Sequence, residues 1–175
     1  MDPPVLTLAL LATTVALHSG HTAIHVMVSL VWRTRTLPSY DAVVGYLGAL
    51  AWFLLLLADR GTIGHDLAVF AVPIGLGLTA AGLLVHFAGV RDLRRHRGEG
   101  PLVTKGIYAR LRHPIYYGWV LASFGLPIVL MSSLGLLTAP LWSGLILACG
   151  LLEERDLRAQ LPEGIYDSYA STTWL

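Results

Sequence analysis

Long apolar runs alternate with short polar breaks along the chain, and the runs have the length of membrane-crossing helices. About 20 mostly apolar residues cross a bilayer as a helix. The first run extends from Val5 to about Val31 and is closed by Arg33, Arg35 and Pro38. A second, shorter run covers about Ala42 to Ala58, between Asp41 and Asp59-Arg60-Gly61. A third covers about Leu67 to Val90 and contains Pro73, Gly75, Gly77, Gly82 and Gly89. Membrane helices tolerate such residues, and the glycines let helices approach closely. From Pro114 to Leu152 there are 39 residues without a charge. As one helix they would reach roughly 58 Å at 1.5 Å per residue, against a hydrocarbon core about 30 Å thick. Two helices folded back near Met131-Ser132-Ser133 fit that core. The pattern predicts an all-α integral membrane helical bundle of about five transmembrane helices, the last two forming a tight hairpin. The tail, Glu153 to Leu175, is polar. It reads as a helix continuing to Gln160, a break at Pro162 and Gly164, and a short amphipathic turn from Ile165 to Tyr169 that packs back on the body.

Composition supports this picture. The chain is 55% hydrophobic and 13% charged, whereas a soluble domain carries about 25% charged residues. The length suits one membrane domain, 1–175, with three N-terminal spans in 1–90 and a second half in 91–175. The single Cys149 excludes an internal disulfide and a multi-Cys metal site. No Lys or Arg precedes the first run, unlike a cleaved signal peptide, so that run reads as a retained span. With the N-terminus outside, eleven of the twelve Lys and Arg fall on the cytoplasmic side, as the positive-inside preference requires. The third loop is the most basic. Beside membrane spans it suits anionic headgroups better than nucleic acid.

Several groups could carry chemistry. His18, His21 and His25 share one face of the first helix. They read either as a metal or haem site or as polar packing inside a bundle, and no matching ligand cluster appears in the other spans. His25 and His86 are also candidates for lining a cavity, since ionisable groups in spans are functional suspects. Glu153 and Glu154 close the fifth span. Carboxylates at a helix C-terminus oppose the macrodipole, so the pair calls for a cationic partner, either arginines of the third loop or a cationic ligand. Residues 100–118 crowd basic, aromatic, Gly and Pro residues together. Pro114 suits the first position of a helix. The amides there attract anions, and Arg112 can grip a carboxylate with two hydrogen bonds.

Leu102-Val103-Thr104-Lys105-Gly106-Ile107-Tyr108, followed after three residues by Arg112-His113-Pro114-Ile115-Tyr116-Tyr117-Gly118, resembles the signature of the isoprenylcysteine carboxyl methyltransferase family. Its wider superfamily includes phospholipid and small-thiol methyltransferases. In that family a hydrophobic hairpin, a Glu-Glu pair and a Tyr-x-x-Tyr follow, as Glu153-Glu154 and Tyr166 with Tyr169 do here. The resemblance covers about residues 100–170. It implies S-adenosyl-L-methionine as cofactor and makes 91–175 the cofactor-binding half. Gly100, Pro101, Leu102, Val103 and Tyr108 would line the adenosine side. Arg112, His113, Pro114 and Ile115 would hold the methionine end, and Glu153 would take a polar group of the cofactor. Arg112 and Glu154 would lie nearest the transfer. The implied partners are membrane lipid and a lipophilic or small thiol, carboxylate or amine acceptor, with no nucleic acid and no metal. Two positions depart from the pattern. Cys149 stands where prenylcysteine-specific members carry an Arg, and Leu161-Pro162 stands where many members have Phe-Gly. The rival readings are an NADPH-dependent membrane sterol-type reductase, whose Arg-His-Pro-Asn-Tyr motif meets Ile115 here in place of Asn, and a non-enzymatic haem-handling or scaffold protein.

Overall fold

The structure is a computed structural model that describes residues 3–27 and 38–174. The first-loop residues Arg33 and Arg35, and the end of the first apolar run, lie outside the described residues. Five long helices follow one another: α1 (Pro3–Met27), α2 (Pro38–Ala58), α3 (Ala68–His96), α4 (Pro114–Leu130) and α5 (Ser133–Gln160). A short α6 (Ile165–Thr172) closes the chain, and 3-10 turns stand at His65–Leu67 and Gly106–Ala109. By length and composition α1, α3 and α5 can cross a membrane; α2 and α4 are shorter apolar helices. At 17 residues, α4 lies at the lower end of what crosses, about 17–25. The molecule is an integral membrane helical bundle, and α4 and α5 are the expected hairpin.

The hairpin turns where the sequence placed the turn. Met131 takes the left-handed conformation that stops α4, and the Ser132 side chain caps α5 by accepting from Gly135 N, the usual service of a serine at a helix N-cap. The loop between α2 and α3 then locks this turn. Asp59, 6% exposed, accepts on one oxygen, Oδ2, from Ser132 Oγ at 2.7 Å, Leu134 N at 2.8 Å and Thr62 Oγ1 at 3.2 Å. Gly61 N and Ile63 N donate to the carbonyls of Leu130 and Met131. A carboxylate at the start of α5 also suits the positive end of that helix.

Two kinds of packing build the bundle. Between α1, α2 and α5 the core is large and apolar, with Trp52, Leu55, Leu56 and Trp142 at its centre. Between α3 and α4 it is almost backbone on backbone. Gly75, Gly82 and Gly89 recur every seven residues on α3. A methyl group at Gly75 or Gly82 would strike the α4 backbone at Gly125 or Gly118, and one at Gly89 would strike Pro114 and Ile115. Contact this close is what small residues permit in a membrane interface.

Three expectations change. The third helix runs on to His96, so Arg91, Arg94 and Arg95 lie on its last turns rather than in a loop. The fifth helix continues to Gln160 as expected, which makes the Glu pair interior to α5, so the macrodipole penalty, confined to a last turn, does not apply to it. The tail's amphipathic turn is a full helix, α6, which Gly164 introduces at φ 80°.

Candidate functional site

The site lies at the end of the hairpin opposite the turn. There α3, the segment 97–113, the start of α4, the end of α5 and α6 meet. One buried carboxylate fixes the fold of the segment. Asp92, near the end of α3, accepts from Ile107 N at 2.9 Å and from Arg91 Nε at 2.8 Å. Gly106 sits against it at φ 63°, where a side chain would be strained and would collide with the Asp92 carboxylate. Thus Lys-Gly-Ile-Tyr is a turn built around Asp92, and it leaves Tyr108 buried behind it.

Pro114 stands at the first position of α4 as expected, and His113 takes the N-cap position. The imidazole and the Arg112 guanidinium reach across to α5. His113 Nε2 lies 3.0 Å from Glu154 Oε1, and Arg112 Nη1 donates to Glu154 Oε2 at 3.2 Å. Arg158, one turn further along α5, adds a third contact at 3.5 Å. The Glu154 side chain is only 4% exposed, and that of Arg112 only 12%. A carboxylate so buried persists as an ion only with such partners. The arginine partner anticipated for the Glu pair is therefore Arg112, and its carboxylate is Glu154.

Glu153 is different. Its side chain is 51% exposed. Tyr116 Oη donates to its Oε2 at 3.1 Å, and His113 Nδ1 stands 3.8 Å away. The His113 and Tyr116 rings stack 5.5 Å apart over Gly150, where a methyl group would press on the Tyr116 ring. Pro114 and Ile115 turn away. They pack on Gly89 of α3, and the Ile115 carbonyl lies 3.5 Å from His86 Nδ1. Their side chains therefore serve the α3–α4 contact, a departure from the expected ligand-holding role.

Beside this cluster is a cavity of about 290 Å³ lined by His96, Glu99, residues 100–105, Ile165 and Tyr169. Gly100, Pro101, Leu102 and Val103 are thus brought together as the sequence suggested. Lys105 and His96 both bind Glu99, and this holds the Glu99 carboxyl below the usual range, chiefly through Lys105. Tyr169 of the cavity wall also ties the tail to the 106–109 turn. Tyr169 Oη donates to the Tyr108 carbonyl at 2.8 Å. Burial pushes the Tyr169 phenol up to about 12 and raises that of Tyr108 further.

The remaining candidates lie elsewhere. His18 Nδ1 donates to the Thr14 carbonyl at 3.0 Å, and its ring stacks on Trp142 at 4.3 Å, inside the α1–α2–α5 core. His21 packs on Gly45 of α2. The side chain of His25 lies outside the described residues. His86 is wedged against Trp119 and Gly118 between α3 and α4 and lines no described cavity. Sequence reading missed Asp59, Asp92 and Gly106. Asp59 and Asp92 are acidic residues near helix ends and Gly106 is a glycine in a turn, all of them common signals.

Residues 70–161 match the phospholipid methyltransferase family. The chain belongs to that family. The matched stretch begins on α3 and ends just past α5, so it contains Arg112, His113, Glu153 and Glu154 and stops short of α6. Among curated proteins, the protein-S-isoprenylcysteine O-methyltransferase of Dictyostelium discoideum is 30% identical over 78 residues, 45% of this chain and 33% of that protein. The alignment thus spans about a third of that relative's length. No solved structure matches. The matched region is centred on the site.

Proposed function

We propose that the protein transfers a methyl group from S-adenosyl-L-methionine to a lipophilic or small thiol, carboxylate or amine acceptor at the membrane surface. The N-terminus would face outside and the site the cytoplasm. The observation that carries this reading is the meeting of Arg112 and His113, at the start of α4, with Glu153 and Glu154 of α5 beside the cavity under Tyr169.

The donor set fits the cofactor's chemistry. The cofactor has a carboxylate, which suits a helix start and a guanidinium. It has an ammonium and a sulfonium, which suit the exposed carboxylate of Glu153. It has an aromatic base, and Leu102, Val103, Ile165 and Tyr169 offer apolar and aromatic walls. The side chains of Arg112, His113 and Glu153 would hold the amino-acid end, and residues 100–103 the adenosine end. When bound, the cofactor supplies a methyl group that a nucleophile can displace from sulfur.

This chain's residues have little acid–base work in such a displacement. Their contribution is alignment and exclusion of water, and holding reacting atoms in line is worth several orders of magnitude in rate. Glu154 fixes Arg112 and His113 relative to α5, and Tyr116 fixes the Glu153 carboxylate. The apolar hairpin lets an acceptor arrive from the bilayer. Cys149, buried on α5 one turn before Glu153, provides no positive charge there, which disfavours an acceptor held by a carboxylate at that point.

Titration of the detergent-solubilised protein with S-adenosylhomocysteine tests the reading. Binding in the micromolar range is expected, at least tenfold weaker in His113→Ala and Glu153→Ala. A folded wild type that does not bind would sink the proposal. Tritiated-methyl transfer into lipid and thiol extracts would then identify the acceptor class.

A further inference from the structure

α6 buries a hydroxyl that makes no well-formed hydrogen bond, although Arg112 and Glu154 stand within weak bonding reach. Tyr166 is 2% exposed, and its Oη is buried without a hydrogen-bond partner. Its ring lies under the Arg158 guanidinium, 4.8 Å from carbon to centroid. Arg112 and Glu154 flank the hydroxyl closely enough for both to act on it. Buried hydroxyls are nearly always hydrogen-bonded, and leaving one unpaired is unfavourable. On the same helix Tyr169 spends its hydroxyl on the Tyr108 carbonyl, so an unused Tyr166 is not a general property of α6.

Arg112, by contrast, commits two of its three side-chain nitrogens within the fold. Its Nη1 donates to Glu154, its Nε to the Trp174 carbonyl at 3.3 Å, and its backbone N to that same carbonyl at 3.1 Å. To grip the carboxylate of a ligand with two hydrogen bonds, the guanidinium has to draw on Nη1 or Nε, and drawing on Nη1 loosens its hold on Glu154. That would leave a carboxylate only 4% exposed short of a donor, which is strongly unfavourable. Tyr166 Oη is a donor beside it that makes no well-formed bond.

We propose that Tyr166 is a positioning residue whose hydroxyl stands in reserve: it donates to Glu154 when Arg112 turns to the carboxylate of a bound methyl donor. The inference rests on the reading of the site as a donor site. It accounts for a buried hydroxyl that stands beside Arg112 and Glu154 without a well-formed bond. It also gives α6 a second role in the site, beside the cavity walls that Ile165 and Tyr169 provide. Burial, with the nearby Glu154 charge, pushes the phenol up to about 12, so the group remains a proton donor at physiological pH.

Tyr166→Phe removes only the oxygen. Its melting temperature without ligand should equal or exceed that of the wild type, because an unpaired polar atom is lost. Its affinity for S-adenosylhomocysteine should fall about tenfold, the worth of one hydrogen bond to a charged group. Its affinity for methylthioadenosine, which lacks the amino-acid end and makes no demand on Arg112, should be unchanged. A lower melting temperature without ligand would show the hydroxyl already bonded and overturn the proposal. So would equal losses for both ligands, or no loss for S-adenosylhomocysteine. If the wild type binds and Tyr166→Phe binds equally well, only this inference fails. If the wild type does not bind, the donor-site reading fails and takes the inference with it.

Discussion

The hairpin of α4 and α5 carries a buried carboxylate at each end, and the two are satisfied in opposite ways. Asp59, at the turn, is held by two hydroxyls and a backbone amide. Glu154, at the site, is held by two guanidiniums and an imidazole. Neutral donors at the turn belong to the loop and cap they stabilise and have no other work. The guanidiniums around Glu154 each have a charge that a ligand could claim. Similar burial therefore serves a clamp in one place and an adjustable site in the other.

Removing each carboxylate tests that contrast. Glu154→Ala leaves Arg112 buried without its counter-charge. A loss of about 3–5 kcal/mol in stability is expected, as for a broken buried ion pair. Methyl transfer should fall by about two orders of magnitude through misplacement of Arg112 and His113. Initial rates and chemical denaturation in detergent would measure both. Full activity in a folded Glu154→Ala protein would erase the distinction between the two ends.

A smaller effect is expected at the turn. Asp59→Ala should cost about 1–3 kcal/mol, because the donors left behind are neutral and partly reachable by water. Affinity for S-adenosylhomocysteine should stay within about twofold of wild type. A tenfold loss of affinity would mean that the turn communicates with the site, and the clamp would have to be redefined.

The smallest effect is a pH dependence of the tail. Tyr166 and Tyr169 are pushed up to about 12, whereas a free tyrosine titrates near 10. The folded state thus favours the neutral phenol. Below pH about 10 both states are protonated and stability is unaffected. Between about 10 and 12 the unfolded chain ionises first, so stability falls as pH rises. Tyrosinate absorbance alongside melting temperature should show the loss in that window, and the Asp59 clamp should not respond to it.

How much of this was legible in the sequence depended on the range of each interaction. The apolar runs and the 39-residue limit gave the five helices and the hairpin, because hydrophobic length is a local quantity. The α4 start at Pro114 was legible for the same reason. Arg112 and Glu154 were each singled out, but their pairing joins positions 42 apart and needed the fold. Pro114 and Ile115 sit inside the motif yet face Gly89, because a motif read as a string does not say which way a helix presents its side chains. Asp92 could not be distinguished from the charges around it until Gly106 was seen folded against it. The histidines of α1 looked like ligands because they share a face; His18 and His21 spend that face on Trp142 and Gly45.

The glycine contact between α3 and α4 has a mechanical consequence. With almost no side chains between the two backbones, neither helix can slide or roll against the other without collision. They behave as one strut. Asp92 rides on one member of it and His113 on the other, so the spacing between the 97–113 segment and the start of α4 is fixed at both ends. Any opening that admits a ligand has to come from the other wall, where α5 and α6 carry Glu154, Tyr166 and Tyr169.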